Sequence, residues 1–524
     1  MENVNKLNNN SNIMLSLKKQ EERRGDFKKG IDIKCEKKKL EDNVLSIRKS
    51  KRVESINKRR NLSDDVVEGV YVSGTIVDLP RFVTYLESDD IKRNAMGIRG
   101  IRDIVSITDH KLEEEYINKI VSAGIIPRLV LMMTYSSIDI QYDACWTISN
   151  ILATTDRTII NMVLKENVIS IFMDHLLSDS AELRNQSLWG LANIAGEGRY
   201  YGEMLLYHGL PGRIILMVDR KLICTVFAAK QMAFCIDNLC RNNIPFDLLQ
   251  NLLPVLYRLL STKNPSVLED VMWAFGHLTD NLDNRDLQVV MMCPSEYGSY
   301  SNMLYFLFTN EVYIKSRQAV LRCVCNVASG HNDQTQTLID AGFIPVFKSL
   351  LQDTESTNYT YRDVCWALSN IAAGTESQKD LLISNDIIPL IIQMASTKTY
   401  IIIRECIWLF VNLFDKDSDT DLTNHMSRIN VSIECGLLSC LYELLESNKC
   451  ETKDIINILS IIESILVNEN ELMDYKYLIE DVGFLDILED LQTHENDTIS
   501  EKSQYIIDEY FEGEEIEYSK KSFF

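Results

Sequence analysis

An indole and a carboxamide stand four residues apart at Trp146 and Asn150, Trp189 and Asn193, Trp366 and Asn370, and Trp408 and Asn412. On a helix each pair shares one face, because residues four apart lie one turn above one another. A carboxamide carries two N–H donors and a carbonyl acceptor, so a row of them suits the N–H and C=O groups of an extended peptide. Indoles between such rungs make slots for the methylene stem of Lys or Arg, with the cation drawn to the ring face. Core packing is the competing reading, but packing requires the indole and not its amide companion, and a buried amide without partners is costly. Asp143, Asp270, Asp363 and Glu405 each precede a Trp by three residues, close to one helical turn, and are expected to form an acidic rim for a basic guest.

These residues can line up only if the same helix recurs. Degenerate copies fill the gaps between the clear ones: Phe234 with Asn238, Trp273 with His277, and Arg322 with Asn326. From Trp146 onward the first members are spaced by 43, 45, 39, 49, 44 and 42 residues. That period is the one of armadillo or HEAT arrays, in which units unable to bury a core alone stack side by side and present a long inner surface. Punctuation agrees, since Ala123-Gly124-Ile-Ile-Pro127, Gly209-Leu-Pro211, Ala341-Gly342-Phe-Ile-Pro345 and Asp386-Ile-Ile-Pro389 each supply a stop followed by a fresh start. The expected fold is all-α, a superhelical solenoid of about ten armadillo or HEAT repeats behind a basic N-terminal arm.

Charge separates the arm from the body. Residues 1–60 carry 18 Lys+Arg against 9 Asp+Glu, a net of +9, and the remaining residues carry 36 against 67, a net of −31. A body so acidic repels nucleic-acid phosphates and attracts basic polypeptide. The arm lacks the aromatic interleaving of a single-strand binder. With 524 residues and 46% hydrophobic content there is ample apolar surface for a core. No apolar run approaches a membrane span, and the polar, Asn-rich start differs from a signal peptide. Thirteen cysteines form no Cys-x-x-Cys pair, and those beside the Trp positions, Cys145 and Cys365, read as reduced packing thiols. Phosphate loops, nucleophile elbows and zinc-protease motifs are absent, so neither an enzyme nor a cofactor is expected. Asp415-Lys-Asp-Ser-Asp-Thr-Asp421 lacks the Gly and closing Glu of a calcium loop and reads as a surface excursion.

Several stretches resemble the importin-α (karyopherin-α) family of nuclear-import adaptors. Arg24-Gly-Asp-Phe27-Lys28-Lys29-Gly-Ile-Asp32, followed by Ile47-Arg48-Lys49-Ser-Lys51-Arg52 and Lys58-Arg59-Arg60-Asn61, is similar to its importin-β-binding segment. Trp189-Gly-Leu-Ala-Asn193-Ile-Ala-Gly-Glu197 and Asn238-Leu-Cys-Arg241-Asn242 resemble its cargo-groove repeats. Leu491-Gln-Thr-His-Glu495-Asn496 and Tyr510-Phe511 resemble its last repeat.

The resemblance implies an armadillo-repeat right-handed superhelical solenoid and, on it, a major site for basic nuclear localisation signals at Trp146, Asn150, Gln186, Trp189, Asn193, Glu197, Phe234, Asn238 and Asp270. A minor site, for the second half of a bipartite signal, would comprise Arg322, Asn326, Trp366, Asn370, Glu405, Trp408 and Asn412. Glu197 stands where the family usually has Asp, Phe234 stands for Trp, and Ala153-Thr154-Thr155 replaces the usual Ser-Gly-Thr. Importin-β binding falls to Arg24, Phe27, Lys28, Lys29, Arg48, Lys49, Lys51 and Arg52, and an autoinhibitory mimic of a signal to Lys58, Arg59 and Arg60. Implied partners are cargo with Lys/Arg-rich signals, an importin-β carrier and an export receptor for recycling, with no direct nucleic acid and no membrane insertion. Location is expected to alternate between cytoplasm and nucleus. The expected organisation is a disordered start over 1–12, a carrier-binding segment over 13–60, a linker over 61–79, the array over 80–512 and an acidic, polar tail over 513–524. The rival reading is another armadillo adaptor or scaffold that binds extended peptides without a transport role.

Overall fold

The computed structural model describes residues 74–106, 110–154, 156–280, 282–292, 296–416, 422–447, 450–468 and 474–511. The arm residues expected to bind a carrier and the Lys58–Arg60 cluster lie outside these, as do Thr155, most of the excursion after Lys416, and the tail. Among the described residues there are helices and no strands.

The recurring element is a helix triplet, seen in Arg157–Leu164, Val168–His175 and Ala181–Ala195. The third helix is the long one, and we number these in chain order. They are α1 (Ile91–Val105), α2 (Ile138–Ile151), α3 (Ala181–Ala195), α4 (Val226–Arg241), α5 (Pro265–Thr279), α6 (Arg317–Ala328), α7 (Asn358–Ala372), α8 (Tyr400–Leu413), α9 (Thr452–Leu466) and α10 (Asp497–Tyr510). Every Trp–Asn pair falls on one of α2 to α8, so the period read from the Trp column is the period of these helices.

Local chemistry sets where they start. Ser180 and Thr225 cap α3 and α4 by accepting from Leu183 N and Ala228 N, and Asn264 caps α5 from Ser266 N with Pro265 in the first turn; each cap satisfies an otherwise orphaned amide. Gly209 sits at φ +86° between two helices, a left-handed turn that glycine adopts without strain. Asp386 takes the same turn at φ +54° before the helix Ile388–Thr397, where a short polar side chain tolerates it. The described residues open with a 3₁₀ turn over Ile76–Asp78 that runs into Leu79–Leu86, closed by Thr75 Oγ1, which donates to Asp78 at 2.7 Å.

The chain divides into two compact units, Met1–Val255 and Leu256–Phe524. In the first, α1 to α4 pack in sequence order. Phe172, Leu188, Leu191 and Ile194 are fully buried there. Gly190 permits the contact, since a Cβ on it would lie 2.5 Å from the Phe172 ring. In the second unit α5 to α10 pack likewise, and Tyr400 Oη donates to Asp454 at 2.8 Å, tying α8 to α9. Arg428, fully buried, pairs with Glu376 and lies 3.6 Å from Asp380. Lys379 donates to the carbonyl of Asp415 at 2.7 Å. Cys145, Cys365 and Cys406 are buried, with Cys365 and Cys406 sulfurs 3.8 Å apart. Burial pushes the Cys145 thiol well up, which suits a packing role.

Candidate functional site

In the first unit the carboxamides form a ladder between helices. Asn193 Nδ2 donates to Ser149 O and Asn238 Nδ2 to Ala192 O, both at 2.8 Å. Asn150 Nδ2 lies 3.2 Å from Ser106 Oγ. Asn242, one turn beyond Asn238, donates to Ala195 O at 2.6 Å. Each Asn thus joins its own long helix to the preceding one. The spacing alone presents these amides as open to a passing peptide main chain; part of their donor capacity is instead engaged within the array. What remains is chiefly acceptor: Asn238 Oδ1 has no partner in the fold. Gln186, fully buried on α3, has neither amide atom paired, an arrangement that costs free energy.

The same staple recurs in the second unit. Asn326 Nδ2 donates to Gly276 O and Thr279 Oγ1, both at 2.9 Å, and its Oδ1 has no partner. With both hydrogens engaged, Asn326 can only accept from a guest. Asn412 Nδ2 donates to Ser369 O at 2.9 Å. Asn370 is half-buried, and its Nδ2 has no partner.

The aromatic groups depart further from the expected slots. Trp189 and Phe234 stack directly, with centroids 5.6 Å apart and planes 25° from parallel. The slot expected between them is closed, because a methylene stem needs van der Waals clearance on both faces. Phe234 is therefore a packing partner of Trp189 in this structure. Trp146 is covered on one side by Arg102, whose guanidinium carbon lies 4.8 Å from the ring centroid, and meets the Tyr142 ring edge-on at 5.7 Å. In the second unit Arg322 covers Trp366 at 5.1 Å and pairs with Asp280. The His277 ring stacks on Trp273 at 5.6 Å.

The four carboxylates are not a rim. Asp143, Asp270, Asp363 and Glu405 are all buried, and three of them face arginines of the chain itself. Arg102 Nη1 donates to Asp143 at 2.6 Å, with Arg99 Nε 3.6 Å from its other oxygen. Asp363 accepts from Arg362 Nη2 at 2.6 Å and Gln318 Nε2 at 2.9 Å. Glu405 lies 3.7 Å from Arg404 Nη2, and burial raises its carboxyl to about 7 against the opposing pull of Arg404 and Arg362. An unpaired buried carboxylate is expensive to ionise, so the chain supplies its own counter-charges. Glu197, just past the end of α3, is half-buried and accepts from Arg157 through its carbonyl at 3.3 Å. Thr154 is buried, with Oγ1 accepting from Asp156 N at 3.2 Å.

Arg99, Arg102, Arg362 and Arg404 do not stand out from the Trp column alone, although a signal exists. Arg102 precedes Trp146 by 44 residues and Arg322 precedes Trp366 by 44. In each case Arg stands one period before an indole and reaches forward over it. Among the described residues, no group of His, Cys, Asp or Glu is placed to hold a metal ion, and no helix is long and apolar enough to cross a membrane.

Comparison with known proteins places these features in a family. Residues 23–98 match the importin beta binding domain. Residues 114–153, 158–196 and 331–373 match armadillo/beta-catenin-like repeats, and 474–522 match an atypical armadillo repeat. The chain is 26% identical over 507 residues to importin subunit alpha-1a of Oryza sativa subsp. japonica, covering 94% of this chain and 93% of that protein. It is 25% identical over 506 residues to importin subunit alpha-3 of Arabidopsis thaliana, covering 94% and 92%. The crystal structure of an engineered protein superposes with a TM-score of 0.69 over 82% of this chain and 98% of its own, at 18% identity, which supports the α-solenoid class. An importin-β-binding match thus leads into armadillo matches that carry the Trp146–Asn150, Trp189–Asn193 and Trp366–Asn370 pairs, and over 94% of its length the chain is similar to importin alpha subunits.

Proposed function

We propose that this chain is a nuclear-import adaptor that holds Lys/Arg-rich localisation signals along the Trp–Asn faces of its long helices and links them to an importin-β carrier through its N-terminal arm. The observation that carries the reading is the amide ladder: Asn193, Asn238, Asn326 and Asn412 each donate to the preceding long helix from the helix face that bears the aromatic column. An extended peptide has backbone donors at regular intervals, and a row of buried acceptors selects for an extended backbone over a folded surface.

The proposed site of the first unit, which the resemblance implies as the major one, uses Trp146, Asn150, Gln186, Trp189, Asn193, Glu197 and Asn238, with Phe234 behind Trp189. The proposed minor site uses Arg322, Asn326, Trp366, Asn370, Glu405, Trp408 and Asn412. Arg24 to Arg52 of the arm would engage the carrier, and Lys58, Arg59 and Arg60 would occupy the groove when no cargo is present. Shuttling between cytoplasm and nucleus follows from the adaptor role, which requires no catalysis. Calorimetric titration of a Lys-rich import peptide, together with capture of an importin-β carrier by full-length chain and by chain lacking residues 1–60, tests both halves. Saturable peptide binding and arm-dependent capture are expected; peptide binding without arm-dependent capture would favour a peptide-binding scaffold outside transport.

A further inference from the structure

We infer that the second unit, rather than the first, holds a basic peptide most strongly in this chain, an inference that rests on the peptide-reading function proposed above. The aromatic surface that would receive cations is distributed unequally. In the first unit Trp146 is 9% exposed, Trp189 3% and Phe234 2%. Two contacts account for this: the Trp189–Phe234 stack leaves no gap for a side chain, and Arg102 lies over Trp146 while satisfying Asp143. A lysine entering here must separate the stacked rings or displace an arginine already paired. It gains little from Asp143, which Arg99 and Arg102 flank on both oxygens.

The second unit is arranged differently. Trp273, Trp366 and Trp408 are all half-buried, and so is Asn370, whose Nδ2 has no partner. Arg322 covers one side of Trp366, yet that indole keeps more accessible surface than either indole of the first unit. Glu405, three residues before Trp408, has Arg404 Nη2 at 3.7 Å, and an incoming ammonium would supply the closer counter-charge that the buried carboxyl lacks. Half-buried indoles, an unpaired amide donor and an under-compensated carboxylate therefore coincide on α7 and α8. The occupant that fits them is an extended Lys/Arg-rich segment, matched by the −31 net charge of residues 61–524.

A photo-crosslinkable peptide with a single basic cluster, bound to the full chain, tests the inference by where it attaches. Crosslinks within residues 317–416 are expected; crosslinks confined to 138–242 would overturn it. In parallel, Trp366→Ala with Trp408→Ala is expected to weaken peptide binding at least tenfold. Trp146→Ala with Trp189→Ala is expected to weaken it less than threefold, provided circular dichroism shows both variants folded. The reverse ranking would overturn the inference while leaving the peptide-reading function intact. Absence of saturable binding to the unmodified chain would overturn that function, and this inference with it.

Discussion

The guanidinium carbon of Arg102 lies 4.8 Å above the Trp146 ring while its Nη1 donates a 2.6 Å hydrogen bond to Asp143. One side chain thus stacks on the indole and neutralises the carboxylate that precedes it. Arg102→Ala should cost about 3 kcal/mol of stability, because Asp143 is left buried with only the more distant Arg99. Adding Asp143→Asn should recover much of that loss. A urea-denaturation double-mutant cycle measures the coupling, and additive losses would show that the pair is not a unit.

Phe234 is expected to act through packing. Phe234→Ala removes the ring stacked on Trp189 and should destabilise the chain by about 3–5 kcal/mol, while opening the face of Trp189 that Phe234 covers. A melting experiment reads the first effect. Binding of a Lys-rich peptide to whatever folded fraction remains reads the second, with affinity per folded molecule expected to rise.

For the amide ladder, Asn193→Ala should cost about 1–3 kcal/mol, since the buried Ser149 carbonyl loses its donor. The same variant should weaken import-peptide binding. Native-state hydrogen exchange should report local loosening where α2 meets α3, and unchanged protection there would argue against the staple.

Glu405 gives a pH dependence with a definite sign. Burial raises its carboxyl from the usual carboxylate range to about 7 in the folded chain, so the folded state binds a proton that the unfolded chain releases. This contribution to stability is fully present below about pH 4.5 and is lost as pH rises through about 7. Peptide binding runs the other way, because a seated cation favours the ionised form. Affinity should be about tenfold weaker at pH 6 than at pH 8, as only about a tenth of Glu405 is ionised at the lower pH. Glu405→Gln should flatten the profile in calorimetric titrations.

For the arm, replacing Lys58, Arg59 and Arg60 with Ala should tighten cargo-peptide binding about tenfold in carrier-free protein, or about 1.4 kcal/mol. A tethered basic cluster competes at an effective concentration in the millimolar range. Equal affinities for the full-length, triple-mutant and arm-deleted chains would leave the cluster as a piece of the carrier-binding segment alone.

The helical array was legible because it depends on a period, and periods survive substitution. Trp146, Trp189, Trp366 and Trp408 mark it even where Phe234 and Arg322 replace the indole, and Gly209 and Pro211 mark the boundaries. The state of the groove was not legible, because it depends on what each side chain meets one period away. Nothing local to Asp143 reveals that Arg102, 41 residues earlier, turns an acidic position into a paired one. Phe234 could be read as a slot wall from its type, whereas the 5.6 Å contact with Trp189 depends on how closely α3 and α4 approach.

The staples have a genetic consequence. Asn193, Asn238, Asn326 and Asn412 each rivet one helix to the next through the same group proposed to read a guest. A substitution there loosens the stack and blunts recognition together. Such alleles should behave as unstable proteins, cleared from the cell before their binding defect becomes visible. A half-buried indole such as Trp408 can drift with a smaller penalty. Over evolutionary time the amide column should hold still where it staples, while the aromatic column diversifies; Phe234 and Arg322 already stand as such variations beside a kept Asn, and at Trp273 the indole stays where His277 has replaced the amide.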